Sequence, residues 1–290
     1  MRLEKIIFSS RMWNSIKGRI PTIVRSTMSS GLLRLKRAHF ALVCYLSLPK
    51  YVTNPFGVFL KELTVPKGGN IEYHLRNGLG LTIRAKTFDK YIVQEIYTGS
   101  YDIALSELPK SPVVIDAGAH IGVFATKVTK DYPLAVLFCI EPIADNLRLL
   151  NKNLKDNSLS TMTAIIDGSL SGSSGQKTIY GRKDHSAGFN LYMPTDMEYK
   201  TSGHTLESLF QEYKIAHCDL LKLDIEGGEY EVLYSTPLHI FEKIENIVME
   251  YHPFPKELAG VDKLVDFLSK NNYSVNLYSN KMLYATRGVK

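Results

Sequence analysis

From Pro112 onward the chain alternates short apolar runs with stretches of helical spacing, and this alternation restricts the fold more than any other feature. Val113-Val114-Ile115 is followed by a helix bearing Ile121, Phe124, Ala125 and Val128. Ala135 to Ile140 is apolar throughout and leads into a helix with Ile143, Leu147, Leu150 and Leu154 on one face. Thr161 to Ile166, Leu220 to Leu223 and Ile247 to Met249 are further strand candidates. Continuous apolar strands joined by helical crossovers predict an α/β fold with a parallel sheet covered on both faces. The chain closes with Tyr273 to Tyr278, a Ser-Asn turn, and Lys281 to Thr286, which predicts an antiparallel hairpin appended to that sheet. The Ser/Gly-rich piece from Ser169 to Gly175 reads as a loop. Upstream, Ile71 to Arg84 alternates on both sides of Asn77-Gly78, the signature of a β-hairpin, and residues 89–98 read as helix.

Charge divides the chain. Residues 1–60 hold ten Lys/Arg against one acid, Glu4, for a net +9; the other 230 residues hold 25 basic and 28 acidic groups, for a net −3. The basic excess therefore belongs to an N-terminal arm. The near-neutral body argues against a nucleic-acid enzyme with a basic catalytic face. The arm mixes basic with apolar residues (Ile6, Ile7, Trp13, Leu32, Leu33). Three roles suit it: a helical packing element with a solvated basic face, peripheral contact with an anionic membrane, or a transit peptide. With 44% hydrophobic and 22% charged residues, the composition is that of a globular protein. No window reaches the roughly 18–20 apolar residues that span a bilayer. Three widely spaced cysteines, Cys44, Cys139 and Cys218, form no disulfide framework, so a cytoplasmic location is expected. The expected organisation is a basic helical arm over 1–60, a hairpin and helix over 61–110, and a catalytic domain over 111–290.

The strongest chemical signal runs from Val113 to Gly122. A buried strand ends in Asp116, turns through Gly118, and opens a helix near Ile121. Glycine lets the backbone approach a ligand, and a helix start offers free N–H groups. Ligands of open parallel sheets sit at the carboxyl ends of the strands. Glu141 closes the second strand, where a carboxylate accepts hydrogen bonds from both hydroxyls of a ribose. Two cofactors fit this frame. The dinucleotide fingerprint G-x-G-x-x-G has a middle glycine that Gly118-x-x-x-Gly122 lacks. Asp116 would repel a pyrophosphate but suits the cationic end of S-adenosylmethionine. The methyl-donor reading therefore leads over a nicotinamide-dependent oxidoreductase.

Four blocks in order, Ile115 to Gly122, Glu141 to Asn146 with Leu150 and Asn153, Asp219 to Leu233, and Met249 to Pro253, make the chain resemble the FkbM family of S-adenosylmethionine-dependent methyltransferases. His120 stands where the family often has Asn, and Gly228 falls where it varies. The resemblance implies a Rossmann-like class I methyltransferase fold, with a seven-stranded, mostly parallel sheet whose last strand is reversed. It places the methionine moiety at Asp116, Gly118 and Ala119, with His120 in the same turn. Glu141 would hold the ribose, next to Pro142, with Asn146 bracing either Glu141 or the ligand. The adenine would meet Asp167, Gly168 or Ser169. O-methylation of a sugar, a glycolipid or a polyketide-type natural product is the implied reaction.

Asp224-Ile-Glu226-Gly-Gly-Glu229 follows the fourth strand, and Glu250 and His252 follow the fifth. One acid at a helix start is explained by the helix dipole; four carboxylates and a histidine on one sheet edge are not. Two readings compete. In one, Asp224, His252 or Glu226 is the general base for an acceptor hydroxyl, with Glu229 and Glu250 binding the acceptor. In the other, Asp224 and Glu250 hold a divalent cation such as Mg²⁺. His185 and Ser186, in a Gly-flanked loop, are further candidates for acceptor contact. A non-catalytic glycan-binding module is the alternative from outside enzymology.

Overall fold

The computed structural model of the protein describes residues 42–159, 162–181, 189–192, 194–195, 197–252, 260–278 and 281–288. Most of the expected arm (1–41) and the His185-Ser186 loop lie outside the described residues. Residues 42–51 are helical. From Pro49 onward the residues form one compact unit. No helix among the described residues is long and apolar enough to cross a membrane. The three cysteines are buried, and Cys139 and Cys218 are free thiols.

The chain runs α1 (Pro55–Thr64), β1 (Asn70–His74), β2 (Gly80–Arg84), α2 (Asp89–Tyr97), α3 (Asp102–Ser106), β3 (Val113–Ala117), α4 (Val123–Asp131), β4 (Val136–Glu141), α5 (Ala144–Asp156) and β5 (Thr163–Asp167). It continues with β6 (Ser169–Leu170), β7 (Gly175–Gly181), β8 (Met197–His204), α6 (Leu206–Glu212), β9 (Cys218–Leu223), α7 (Glu229–Ser235), α8 (Leu238–Phe241), β10 (Ile244–Glu250), α9 (Val261–Lys270), β11 (Tyr273–Leu277) and β12 (Met282–Arg287). The main sheet has seven strands in the order β11-β12-β10-β9-β3-β4-β5. The five strands from β10 to β5 are parallel, and β12 runs against both β10 and β11. This is the expected class I methyltransferase sheet with its reversed last strand.

Strands β3, β4 and β9 are buried along nearly their whole length, without the in–out alternation of a one-sided sheet, as strands covered on both faces must be. One face (Ile115, Ala117, Ile140, Leu221, Leu223, Ile247, Met249) packs with Leu209 and Phe210 of α6, Tyr230 and Leu233 of α7, Phe241 of α8 and Leu264 and Leu268 of α9. Alternation along the strands turns Asp116 and Lys222 to the opposite face. From β3 the chain adds strands on one side (β4, β5) and later on the other (β9, β10). The crevice at the carboxyl ends of β3 and β9 is thus the topological switch point where ligands of such sheets bind.

Two features lay outside the sequence reading. The Ser/Gly-rich piece read as a loop instead enters a three-stranded sheet, β6-β8-β7, in which β6 pairs parallel to β8 and β7 antiparallel. The expected hairpin is present, with Ile71 opposite Ile83 and Tyr73 opposite Leu81, but it is also stitched to α5. Asn153 exchanges hydrogen bonds with the backbone of Thr82 (2.8 and 3.1 Å) and Asn157 with that of Gly80 (2.9 and 2.7 Å). These side-chain amides act as an extra strand edge along β2.

Candidate active site

The turn after β3 explains its glycines. Gly118 has φ +78°, and a Cβ there would lie 2.0 Å from the backbone oxygen of Asp224. Only glycine lets the ends of β3 and β9 come this close. Gly118 and Ala119 N–H both donate to Ile140 O, at 3.0 and 3.1 Å. Gly122, φ +81°, packs where a Cβ would strike Leu150 of α5; the helix it caps starts at Val123, two residues past the predicted opening.

Glu141 closes β4 and is almost wholly buried. Its Oε2 accepts from His120 N (2.9 Å), and its Oε1 accepts from Ile143 N and Asn146 Nδ2, both at 3.0 Å. Asn146 therefore braces Glu141. Burial pushes the Glu141 carboxyl up, while His120, Asn146 and the two backbone donors oppose the rise. Behind this carboxylate runs a network the sequence reading did not find. Asn146 Oδ1 accepts from Arg84 Nη2 (2.7 Å), and Arg84 grips Asp89 with two nitrogens (2.9 and 3.0 Å). The His120 ring lies 3.3 Å from Arg84 Nη2 and 3.6 Å from Asp89 Oδ1. Burial alone would raise the Asp89 carboxyl, but His120 and Arg84 together hold it below its ordinary value. The segment before the sheet domain thus fixes the cofactor turn from behind.

On the other side of Gly118, Lys222 of β9 sits beside Asp116 of β3, its partner in register. Lys222 Nζ is 2.9 Å from Asp116 Oδ1 and 3.3 Å from Gly118 O. The aromatic rings of Phe124 and Tyr101 lie 5.5 and 5.7 Å from the same ammonium. Asp116 Oδ2 is buried and has no hydrogen-bond partner. Burial alone would lower the Lys222 ammonium, but Asp116, Asp224 and Glu95 hold it above its ordinary value.

At the carboxyl ends of β9 and β10, acids gather around His252. His252 is gripped from both sides: Nδ1 lies 3.0 Å from Glu229 Oε1 and Nε2 lies 3.3 Å from Glu226 Oε2. Burial alone would lower its pKa, but the two glutamates and Asp224 lift it to about 9. Glu229 is fully buried, and its Oε1 also accepts from Ile225 N at 3.1 Å. Asp224 Oδ2 accepts from the Tyr101 hydroxyl at 3.4 Å. Burial, with help from the neighbouring acids, pushes Glu226 up to about 7 against the pull of His252. Glu95 of α2, absent from the sequence reading, is likewise pushed up to about 7 by burial and by Asp224 and Glu250, against Lys222. His120 and Glu226 hold φ values of 51° and 53°, uncommon for residues with side chains and typical of functional turns. Asp224, Glu250 and His252 each bring a ligand atom to within 4.8 Å of the others.

A single pocket links these groups. Its lining runs from Glu141, Pro142 and Asn146, over Gly118, Ala119 and His120, to Lys222, Asp224 and Glu226. Gly168 and Ser169 line one wall, while Asp167 is exposed and lines a separate groove with Gln176 and Lys200. Glu95, Ile92 and Ile96 come from α2; Leu170, Ile179, Phe189 and Leu191 come from the small sheet and the segment beside it. Glu229, Glu250, His252 and Asp116 are not among the lining residues.

A family model described as Methyltransferase FkbM domain matches residues 116–275. Among curated relatives, Methyltransferase sdnD of Sordaria araneosa is 28% identical over 193 residues, covering 56% of this chain and 74% of its own. Methyltransferase 1 of Beauveria bassiana is 24% identical over 214 residues, covering 63% of this chain and 81% of its own. The crystal structure of precorrin-6y C5,15-methyltransferase from Geobacter metallireducens is similar with a TM-score of 0.41 and 14% identity, over 64% of this chain and 87% of that one.

Proposed function

The chain belongs to the FkbM methyltransferase family, and from that premise we propose that it moves a methyl group from S-adenosylmethionine to a hydroxyl oxygen of a small-molecule or glycan acceptor. The observation that carries the reading is the continuity of the pocket from the Glu141 carboxylate, over the Gly118 turn, to Asp224 and Glu226. The residues present fit the donor. The three donors on Glu141 leave one lone-pair site of about four for a ribose hydroxyl. Asp116, expected to hold the methionine moiety directly, is fully buried outside the lining and paired with Lys222, so it acts on the donor only through that pair. Gly168 and Ser169 are the residues for the adenine edge, and Asp167, facing elsewhere, is not. When bound, the donor supplies an electrophilic methyl on a sulfonium.

The chain's own part is positioning and proton removal. Glu226 takes the proton that the acceptor hydroxyl releases as its oxygen gains the methyl group, because it lines the pocket and its pKa of about 7 suits a base. Asp224, steadied by Tyr101, orients the hydroxyl. His252, expected as a candidate base, is instead a positioning cation. Both ring nitrogens are held by carboxylates, so at neutral pH it carries its proton and has no free lone pair. The same cation offsets part of the charge of the neighbouring acids; turnover unchanged by EDTA would argue against a divalent ion at Asp224 and Glu250. Sugars, glycolipids and polyketide-type products all offer suitable hydroxyls.

Calorimetric titration with S-adenosylmethionine tests the donor half: Glu141→Ala should abolish measurable binding, and unchanged affinity would overturn the placement. Labelled-methyl transfer into a mixed glycan extract tests the catalytic half. Donor binding with no transfer to any acceptor there would favour a non-catalytic module.

A further inference from the structure

Helix α1 turns its one acid inward and most of its apolar residues outward. Its single acid, Glu62, is buried, with Oε1 3.3 Å from Lys90 Nζ and Oε2 accepting from Lys86 N at 2.8 Å. Val58 is buried on the same side. Phe56, Leu60 and Leu63, spaced i, i+4 and i+7, form one stripe on the outside and are 77%, 50% and 62% exposed. Two lysines lie on or against the helix. Lys61 is exposed, and the exposed Lys86 donates from Nζ to Leu63 O at the helix end. Among its described residues, a soluble face would carry acids and amides where α1 carries phenylalanine and leucine.

We propose that the outer face of α1 is a docking surface for an anionic phospholipid bilayer. Phenylalanine and leucine enter the headgroup boundary while lysines meet the lipid phosphates, the division of labour of an interfacial helix. A complementary partner has to be both apolar and negative. The first 60 residues of the chain carry a net +9, so folding the arm back on this face adds like charge rather than balancing it. By its net charge alone, the arm favours the same kind of surface. The inference rests on no step of the methyl-transfer reading. It is connected to it physically, because the Glu62–Lys90 pair ties α1 to α2, the helix that supplies Ile92, Glu95 and Ile96 to the pocket.

The test is vesicle flotation of the full chain, with phosphatidylcholine vesicles that contain or lack phosphatidylglycerol. The wild type should float only with the anionic vesicles, and high salt should weaken the association. F56D/L63D should reduce the bound fraction about tenfold or more. Both positions are exposed, so an unchanged thermal midpoint and unchanged S-adenosylmethionine binding would confirm an intact fold. K61E/K86E, which keeps the apolar stripe, should weaken only the anionic component. The proposal is overturned if the wild type ignores both vesicles, or if F56D/L63D floats like the wild type. It is also overturned if F56D/L63D converts a dimer to a monomer without altering flotation, since the stripe is then a contact between copies. Loss of donor binding by the wild type would instead sink the methyltransferase reading and leave the vesicle result standing.

Discussion

Lys222 and Asp116 put two charges under the cofactor turn with almost no water, Lys222 being 3% exposed and Asp116 0%. Such a pair adds little by itself, because desolvation offsets most of the attraction, but removing one partner strands the other. Lys222→Met is therefore expected to cost about 3–5 kcal/mol in urea unfolding, and Asp116→Asn in the same chain should recover part of it. Equal, additive losses would mean that the charges do not interact. Half of this pair was legible. Asp116 announces itself before a glycine turn, whereas Lys222 is hidden in the apolar run Leu220 to Leu223. Which lysine faces which aspartate depends on strand register, and one sequence does not carry it. For the same reason Glu226 could be singled out but its task could not. Its pKa comes from burial and from His252, 26 residues away in the chain. Glu226→Gln should lower kcat about 10²–10⁴-fold with little change in donor affinity. In the wild type, kcat should rise as pH passes about 7, where Glu226 loses its proton, and fall beyond about 9, where His252 loses the charge that positions it.

At the scale of elements, the hairpin and α5 depend on each other. Asn153 is buried and satisfies Thr82 N, Thr82 O and Ile121 O. Asn153→Ala leaves those backbone groups without partners, and each unmet buried group costs about 1–3 kcal/mol. The variant should lose several degrees of thermal midpoint, and S-adenosylmethionine affinity should fall with it, because Arg84 ends β2 and supports Asn146. Asn157→Ala, at a less buried position, should lose less. A variant destabilised but with wild-type affinity would show that the hairpin is mere scaffold. Periodicity made these elements legible: alternation gave β1 and β2, helical spacing gave α5, and apolar runs gave β3, β4, β9 and β10. The β6–β8 sheet was missed because Ser169 to Gly175 has the composition of a turn, and its pairing with β8 spans more than thirty residues. That omission mattered for the site. Ile179, Phe189 and Leu191 supply an apolar wall, and Phe189 is fixed edge-on against Tyr199 with ring centroids 5.5 Å apart.

For the molecule as a whole, the acidic edge makes stability a function of pH with a definite sign. Glu95 and Glu226 have folded pKa values of about 7 against an ordinary 4.5, and His252 has about 9 against 6.5. In each case the folded protein holds a proton that the unfolded chain releases earlier. The two carboxyls therefore weaken the fold as pH rises from 4.5 to about 7, and His252 continues the loss from 6.5 to about 9. Asp89 works the other way. Its lowered pKa stabilises the fold above 3.8 and is lost as pH falls below that. Together these groups place the stability maximum on the acid side of neutrality, where the base is still protonated and turnover is low. Thermal midpoints taken between pH 5 and 9 should fall steadily. Glu95→Gln should flatten the decline below 7, and His252→Asn should flatten it above. Adding S-adenosylmethionine should raise the midpoint more at pH 8 than at pH 5, because a bound cation offsets carboxylates only once they are ionised. A midpoint that climbs with pH, or a donor effect equal at both values, would mean that these carboxyls titrate normally. The ionised edge would then impose no cost on the fold, and the base assigned to Glu226 would lose its physical ground.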